Sequence, residues 1–368
     1  MPDSDPEDPD GDGVEEFVRA HDSKDAGTVE NLAWLLRIIP LLLEYMPDCA
    51  IKGGMAVLLN LRDGGPYRVS RDIDVETGMS RRRVIVAMRH ISDGIDGLDL
   101  RLDPPRGPAK GIPMLRFRGR YRSRFGGGTI KVEVFYGSDT AGAVEVRAPG
   151  YAVPISGGFL ARIYGPGHLI GIKMTTLALG TVGIRDRRMP EIPKHVYDIA
   201  CLLKHLPGNV RIGDIAASLK KTVDTELSYL GDGGPSADDV LDDLSRFPGD
   251  LFPDGTRPGS QYEGWAGIIA SDMLERRYPI SEHVADVLLV RAVIGLALRR
   301  LRGGDPARVE GDARELLGGL AELSGMDRKA KGMELRRIRA ASGAGDLMDD
   351  MSPEQAYVYG WMHDNGMA

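Results

Sequence analysis

Apolar residues recur every three or four positions at Leu32, Leu35, Leu36, Ile39, Leu42 and Leu43. That spacing predicts a helix over 28–46, with Thr28 as its cap and a kink at Pro40. A short strand or turn at Cys49–Lys52 leads into Gly53-Gly54 and a second helix ending near Leu61. Asp63-Gly-Gly-Pro66 reads as a turn. The period then drops to two: Arg68, Ser70, Asp72, Asp74 and Glu76 share one face of a predicted strand, and Val69, Ile73 and Val75 the other, with Arg71 as the single break. Val84, Ile85, Met88 and Ile91 mark an amphipathic helix over 81–92, and Leu98, Leu100 and Leu102 a strand.

Residues 115–136 read as a β-hairpin. Arg116, Arg118, Arg120, Arg122 and Arg124 fall on one face and Phe117, Tyr121 and Phe125 on the other. A four-residue loop at 126–129 places Arg122 opposite Glu133, Arg124 opposite Lys131, and Tyr121 over Val134. Further strands are expected near 144–146 and 151–155. Gly165-Pro-Gly167 is a break before a helix over 168–179 that carries Lys173. A second helix follows over 193–205, where Lys194 and Asp198 lie one turn apart. Beyond Pro207 the pattern is mostly helical, with apolar periodicity at 212–230, 240–247, 265–274, 283–301, 313–323 and 356–361. The fold class is α+β (α/β-like): a mixed-sheet domain over 27–160, then a mostly helical domain over 161–368.

The composition adds an uneven charge. The net charge is -7, but residues 1–30 hold eleven acids against Arg19 and Lys24. Residues 1–26 read as a disordered acidic tail. Residues 81–147 hold fourteen Lys or Arg against seven acids, so a basic surface remains for a polyanion. No run of 18 apolar residues predicts a membrane span, and the start of the chain does not read as a secretory signal. Cys49 and Cys201 alone make no disulfide framework, which fits a reducing cytoplasm. The seven histidines lack zinc-ligand spacing, and no Walker pattern is present.

The chemistry concentrates between Gly53 and Glu76. Carboxylates two residues apart on one strand face repel unless a cation lies between them, and hard oxygen donors suit Mg²⁺. A glycine pair opening a helix lets backbone amides approach a phosphate. Glu133, within Val132-Glu-Val134, is a third acid flanked by apolar residues. It could equally be a structural partner of Arg122. The pattern predicts a site for a metal-bound nucleoside triphosphate.

This arrangement resembles the nucleotidyltransferase superfamily with the polymerase-β-like fold. Lys52-Gly-Gly-x-Ala56-x-x-Leu59 followed by Arg68-x-Ser70-x-Asp72-Ile-Asp74 resembles more specifically the AbiEii/MenT toxin nucleotidyltransferases, as do Ile172-Lys173-Met174 and Lys194-His-Val-Tyr197-Asp198-Ile. The resemblance covers roughly residues 28–206. It implies a cytoplasmic toxin of a toxin–antitoxin or phage-defence pair, transferring nucleotides from NTP to RNA, in some members to the tRNA 3′ end. By position, Asp72 and Asp74 would hold Mg²⁺ with Glu133 as a third ligand. Gly53, Gly54, Ser70 and Arg68 would cradle phosphates, Lys173 would neutralise them, and Asp198 would complete the catalytic set. The expected partners are RNA and a cognate antitoxin, with neither membrane nor DNA. Two alternatives stay open: transfer to a protein or small-molecule hydroxyl, and a non-catalytic nucleotide- or antitoxin-binding module.

Overall fold

The structure is a computed structural model that describes residues 26–61, 68–104, 111–122, 127–148, 159–231, 233–253, 257–269, 273, 278–341, 348 and 350–367. The expected acidic tail before residue 26, the 63–66 turn, Arg124, Phe125 and the 151–155 strand lie outside these residues. The chain forms two compact units, Met1–Gly165 and Pro166–Ala368.

The first unit is built on a seven-stranded mixed sheet ordered β3-β4-β5-β2-β1-β7-β6. The strands are β1 (Ala50–Lys52), β2 (Asp72–Thr77), β3 (Leu98–Asp103), β4 (Met114–Tyr121), β5 (Gly128–Tyr136), β6 (Ala143–Ala148) and β7 (Phe159–Tyr164). Pairing is antiparallel except for β2 with β5 and β1 with β7. Helix α1 (Ala26–Tyr45) packs on β5, β7 and α3 (Arg81–Asp93), and α3 also packs on β3. Ile73, Val75, Val132, Val134, Leu115 and Phe117 are buried, so alternation along three strands supplies the core under these helices. The opposite face keeps the polar residues. The short helix α2 (Gly53–Asn60) leaves β1 directly.

Several expectations are corrected. Thr28 lies inside α1 and does not cap it. The strand begins at Asp72, not at Arg68: Val69 and Ser70 are adjacent and both buried, which an extended strand with one polar face does not allow. Arg71 is exposed ahead of β2, and so never faces the core. The hairpin register is slipped by six positions. Tyr121 pairs with Gly128, Arg118 with Lys131, and Arg116 with Glu133. The slip is even, so each residue keeps its face. Packing selects the register: the Tyr121 ring stacks on Trp34 of α1 at 4.9 Å, and a Cβ on Gly128 would lie 2.5 Å from the Tyr121 hydroxyl. Only glycine at 128 leaves room for that ring. Strand β7 has no counterpart in the periodicity reading.

The second unit is helical: α4 (Pro166–Thr175), α5 (Ile192–His205), α6 (Ile212–Leu230), α7 (Ala237–Ser245), α8 (Ser260–Ile269), α9 (Ile280–Leu301), α10 (Pro306–Gly325), α11 (Arg328–Ala341) and α12 (Pro353–Asp364). Helix α9 is buried on nearly all sides from His283 to Leu298, and α5, α6, α7, α8, α10 and α12 pack around it. No described helix is long and apolar enough to cross a membrane.

Candidate active site

The polar face of the first unit carries one charged row across five strands. Register aligns Lys52 of β1, Asp74 of β2, Glu133 of β5, Arg116 of β4 and Asp103 of β3. Arg116 Nε donates to Glu133 at 2.7 Å, so the arginine opposite Glu133 is Arg116, six residues from the one expected. Asp103 takes Arg118 at 2.7 Å. Arg120 and Arg122 are exposed and make no ion pair among the described residues. Half of the described arginine stripe is therefore neutralised within the sheet.

Asp72 and Asp74 project from the same face of β2, as alternation requires. Lys131, directly across from Asp72, binds its carboxylate at 2.7 Å and lies 3.7 Å from Glu133. Its position two residues before Glu133 was legible in the sequence, but its role depended on the parallel pairing of β2 with β5. Asp74 has no such direct partner. Burial, then the Asp72 and Glu133 carboxylates, push its pKa up to about 7 against the pull of Lys52 and Lys131. Lys52 is committed elsewhere: it binds Glu76 at 2.7 Å and sits 3.6 Å from the centre of the Phe135 ring. Tyr164 donates to the other oxygen of Glu76 at 2.6 Å. Burial and the Glu76 carboxylate raise the Tyr164 pKa and keep it a donor.

The glycine pair is fixed by contact. Gly53 has φ +69, and a Cβ there would fall on the Asp74 carboxylate. A Cβ on Gly54 would lie 2.8 Å from Ser70 Oγ and 2.9 Å from an Arg68 guanidinium nitrogen. Ser70, fully buried, donates to the Asp72 carbonyl at 3.0 Å and holds the entry to β2. The first turn of α2 has no acidic residue and no side-chain cap, so its leading amides, at a glycine that abuts Asp74, have no side-chain acceptor among the described residues. Gly53, Gly54, Arg68, Ser70, Asp72, Asp74 and Glu133 thus converge, joined by Lys131 and Lys52.

Lys173 and Asp198 belong to the second unit. Lys173 on α4 donates to Asp198 on α5 at 2.7 Å, with both side chains almost fully buried. Asp198 is therefore not the partner of Lys194, which lies 3.8 Å from Glu191. Gly171 sets the other contact of α4: a Cβ there would lie 2.6 Å from the Ile215 carbonyl, so α4 rests backbone to backbone on α6.

The donor chemistry fits a hard divalent cation in part. Two carboxylates on one strand face, one with a pKa raised by its neighbours, gain from an added positive charge. No set of three metal-ligating side chains is preassembled among the described residues. Glu133 and Asp72 are meanwhile held by cationic side chains.

A protein family described as "Nucleotidyl transferase AbiEii toxin, Type IV TA system" matches residues 37–272. No curated protein sequence matches the chain. Among solved structures, JHP933 from Helicobacter pylori is similar at 14% identity and a TM-score of 0.45, covering 76% of this chain and 96% of that one. A second H. pylori structure, of a candidate nucleotidyltransferase, is similar at 18% identity and a TM-score of 0.40, covering 74% and 96%.

Proposed function

We propose, for a chain that belongs to the AbiEii family of nucleotidyl transferase toxins of type IV toxin–antitoxin systems, that it transfers a nucleotide from an NTP to RNA, at the 3′ end of tRNA. The observation that carries this reading is the lodging of Asp74 where a Cβ of Gly53 would stand, one alternate position from Asp72 and at the uncapped start of α2. Carboxylates and free helix amides meet there, as binding a metal-complexed polyphosphate requires.

Asp72 and Asp74 would hold Mg²⁺, with Glu133 as a third acid beside them. When bound, Mg²⁺ supplies positive charge against the phosphate oxygens. The amides of Gly53 and Gly54 and the Arg68 guanidinium receive the phosphates, and Ser70 keeps the β2 entry in place. Lys131 neutralises the acid cluster before a donor arrives. The acceptor hydroxyl oxygen forms a bond to the α-phosphorus, the bond to the bridging oxygen breaks, and the electron pair leaves with pyrophosphate. A carboxylate of the Asp72/Asp74 pair would take the hydroxyl proton. Exposed Arg120 and Arg122 offer positive charge to the RNA backbone. Lys173 and Asp198 are needed for transfer as well as for packing. The toxin acts against its own host, or in phage defence, and a cognate antitoxin restrains it.

The test is incubation with labelled nucleoside triphosphates, total tRNA, Mg²⁺ and cell extract, beside an Asp72→Ala control. Label in RNA that disappears in the control supports the reading. Label in protein or a small metabolite, or no transfer in wild type, refutes it.

A further inference from the structure

A cavity of about 750 Å³ opens in the second unit, between the turn at Pro207–Asn209, the start of α6, the last turn of α9 and the first half of α10. Three arginines from three different elements line it: Arg211 before α6, Arg300 on α9 and Arg314 on α10. None of the three makes an ion pair among the described residues. Glu310 also lines the cavity, but it is already engaged: the amides of Ile212 and Gly213 donate to it at 3.2 and 2.8 Å. The helix start is thus capped by a carboxylate from α10; Asp214 on α6 adds a second carboxylate to the lining, and the three guanidiniums are the donors left for an anion. Pro207, Val210 and Leu317 give the cavity an apolar wall.

The positive charge is also bounded. An adjoining cavity of about 390 Å³ shares Arg314 and Gly318, and carries Glu315, Glu322 and the Glu334–Arg337 pair. A long polyanion running past Arg314 would meet these acids. A compact ligand held against the three arginines would meet only Asp214 and Glu310 of the first cavity.

We propose that this cavity binds a nucleotide polyphosphate, with its phosphates on Arg211, Arg300 and Arg314 and its ring on the wall of Pro207, Val210 and Leu317. Every residue of the site lies in the second unit, and none belongs to the acid pair. The volume suits a ligand of nucleotide size, and planar guanidiniums bind phosphate oxygens in pairs. The proposal does not depend on which acceptor receives the transferred nucleotide.

Equilibrium dialysis of the full-length protein against radiolabelled ATP, radiolabelled GTP and inorganic pyrophosphate, in EDTA, tests it. Without a divalent cation the acid pair repels a triphosphate, so binding reports the arginines. One equivalent of at least one nucleotide is expected to bind wild type. Binding should weaken at least tenfold in Arg211→Ala/Arg314→Ala, whose thermal transition should match wild type because both side chains are exposed. Glu310→Gln should tighten binding several-fold by removing a like charge, an effect that a purely structural role does not give. No nucleotide binding in EDTA, or equal binding by the double variant, overturns the proposal. Arginine-dependent binding of a ten-nucleotide RNA without nucleotide binding also overturns it, and assigns the cavity to RNA. A failure to label RNA in the transfer assay leaves these outcomes unchanged.

Discussion

Replacing Asp74 by asparagine should stabilise the first unit while abolishing transfer. Burial and the Asp72 and Glu133 carboxylates raise the Asp74 pKa from 3.8 to about 7. Between those values the folded state holds a proton that the unfolded chain has lost. Stability therefore falls as pH rises through that window and stays reduced above it. Three pH units at about 1.4 kcal/mol each set an upper bound of ~4 kcal/mol. Water at the half-buried carboxylate and relaxation of Lys52 and Lys131 should leave roughly 1–2 kcal/mol. An amide of the same shape avoids this cost, so Asp74→Asn should melt some 2–8 °C above wild type at pH 8 in EDTA. The advantage should shrink towards zero near pH 3, below the unfolded value of 3.8, where both folded and unfolded wild type are largely protonated. Mg²⁺ at pH 8 should raise the wild-type transition and close much of the gap, because a cation relieves the repulsion that asparagine removes. Differential scanning calorimetry at the two pH values gives the comparison. A variant less stable than wild type at pH 8, or one shifted equally at both, would refute the electrostatic account of this site.

The other outcomes follow from the same contacts. Gly53→Ala adds about 1–2 kcal/mol of left-handed backbone strain and strikes the Asp74 carboxylate. Transfer should therefore fall at least a hundredfold, whereas Gly54→Ala adds no left-handed strain, meets Ser70 and the end of Arg68, and should lose less than Gly53→Ala in the same assay. Lys173→Met takes the ammonium away from the buried Asp198 carboxylate and should cost about 3–5 kcal/mol in urea unfolding. Lys173→Met/Asp198→Leu should recover most of that stability; recovery of transfer as well would confine the pair to packing. Lys131→Met frees Asp72 from its 2.7 Å contact and should tighten Mg²⁺ binding, read by calorimetry. Burial, and the Lys204 ammonium, lower the His283 pKa from 6.5 to about 3. The unfolded chain then takes up a proton that the fold refuses, so stability drops as pH falls below 6.5. His283→Leu should flatten that limb of the melting-temperature profile.

Alternation alone fixes which residues of a strand share a face, and that is why Asp72 with Asp74 and Lys131 with Glu133 could be read from the chain by itself. The spacing of 3.6 likewise marks α1, α3, α5 and α6, because each must turn an apolar stripe inward. Gly53-Gly54 ahead of an apolar helix also announced its place. The partners across strands were not local. The register of β4 against β5 depends on Trp34 of α1 stacking on Tyr121 and on the missing side chain of Gly128, some ninety residues apart in sequence. An even slip preserves every face, so the hydrophobic pattern could not detect it, and the partner of Glu133 changed from Arg122 to Arg116. The Lys131–Asp72 contact required β5 to lie parallel beside β2, and the Lys173–Asp198 bond required α4 to pack against α5. Periodicity sees one element at a time; charge pairing between elements is settled only when packing sets their separation and register.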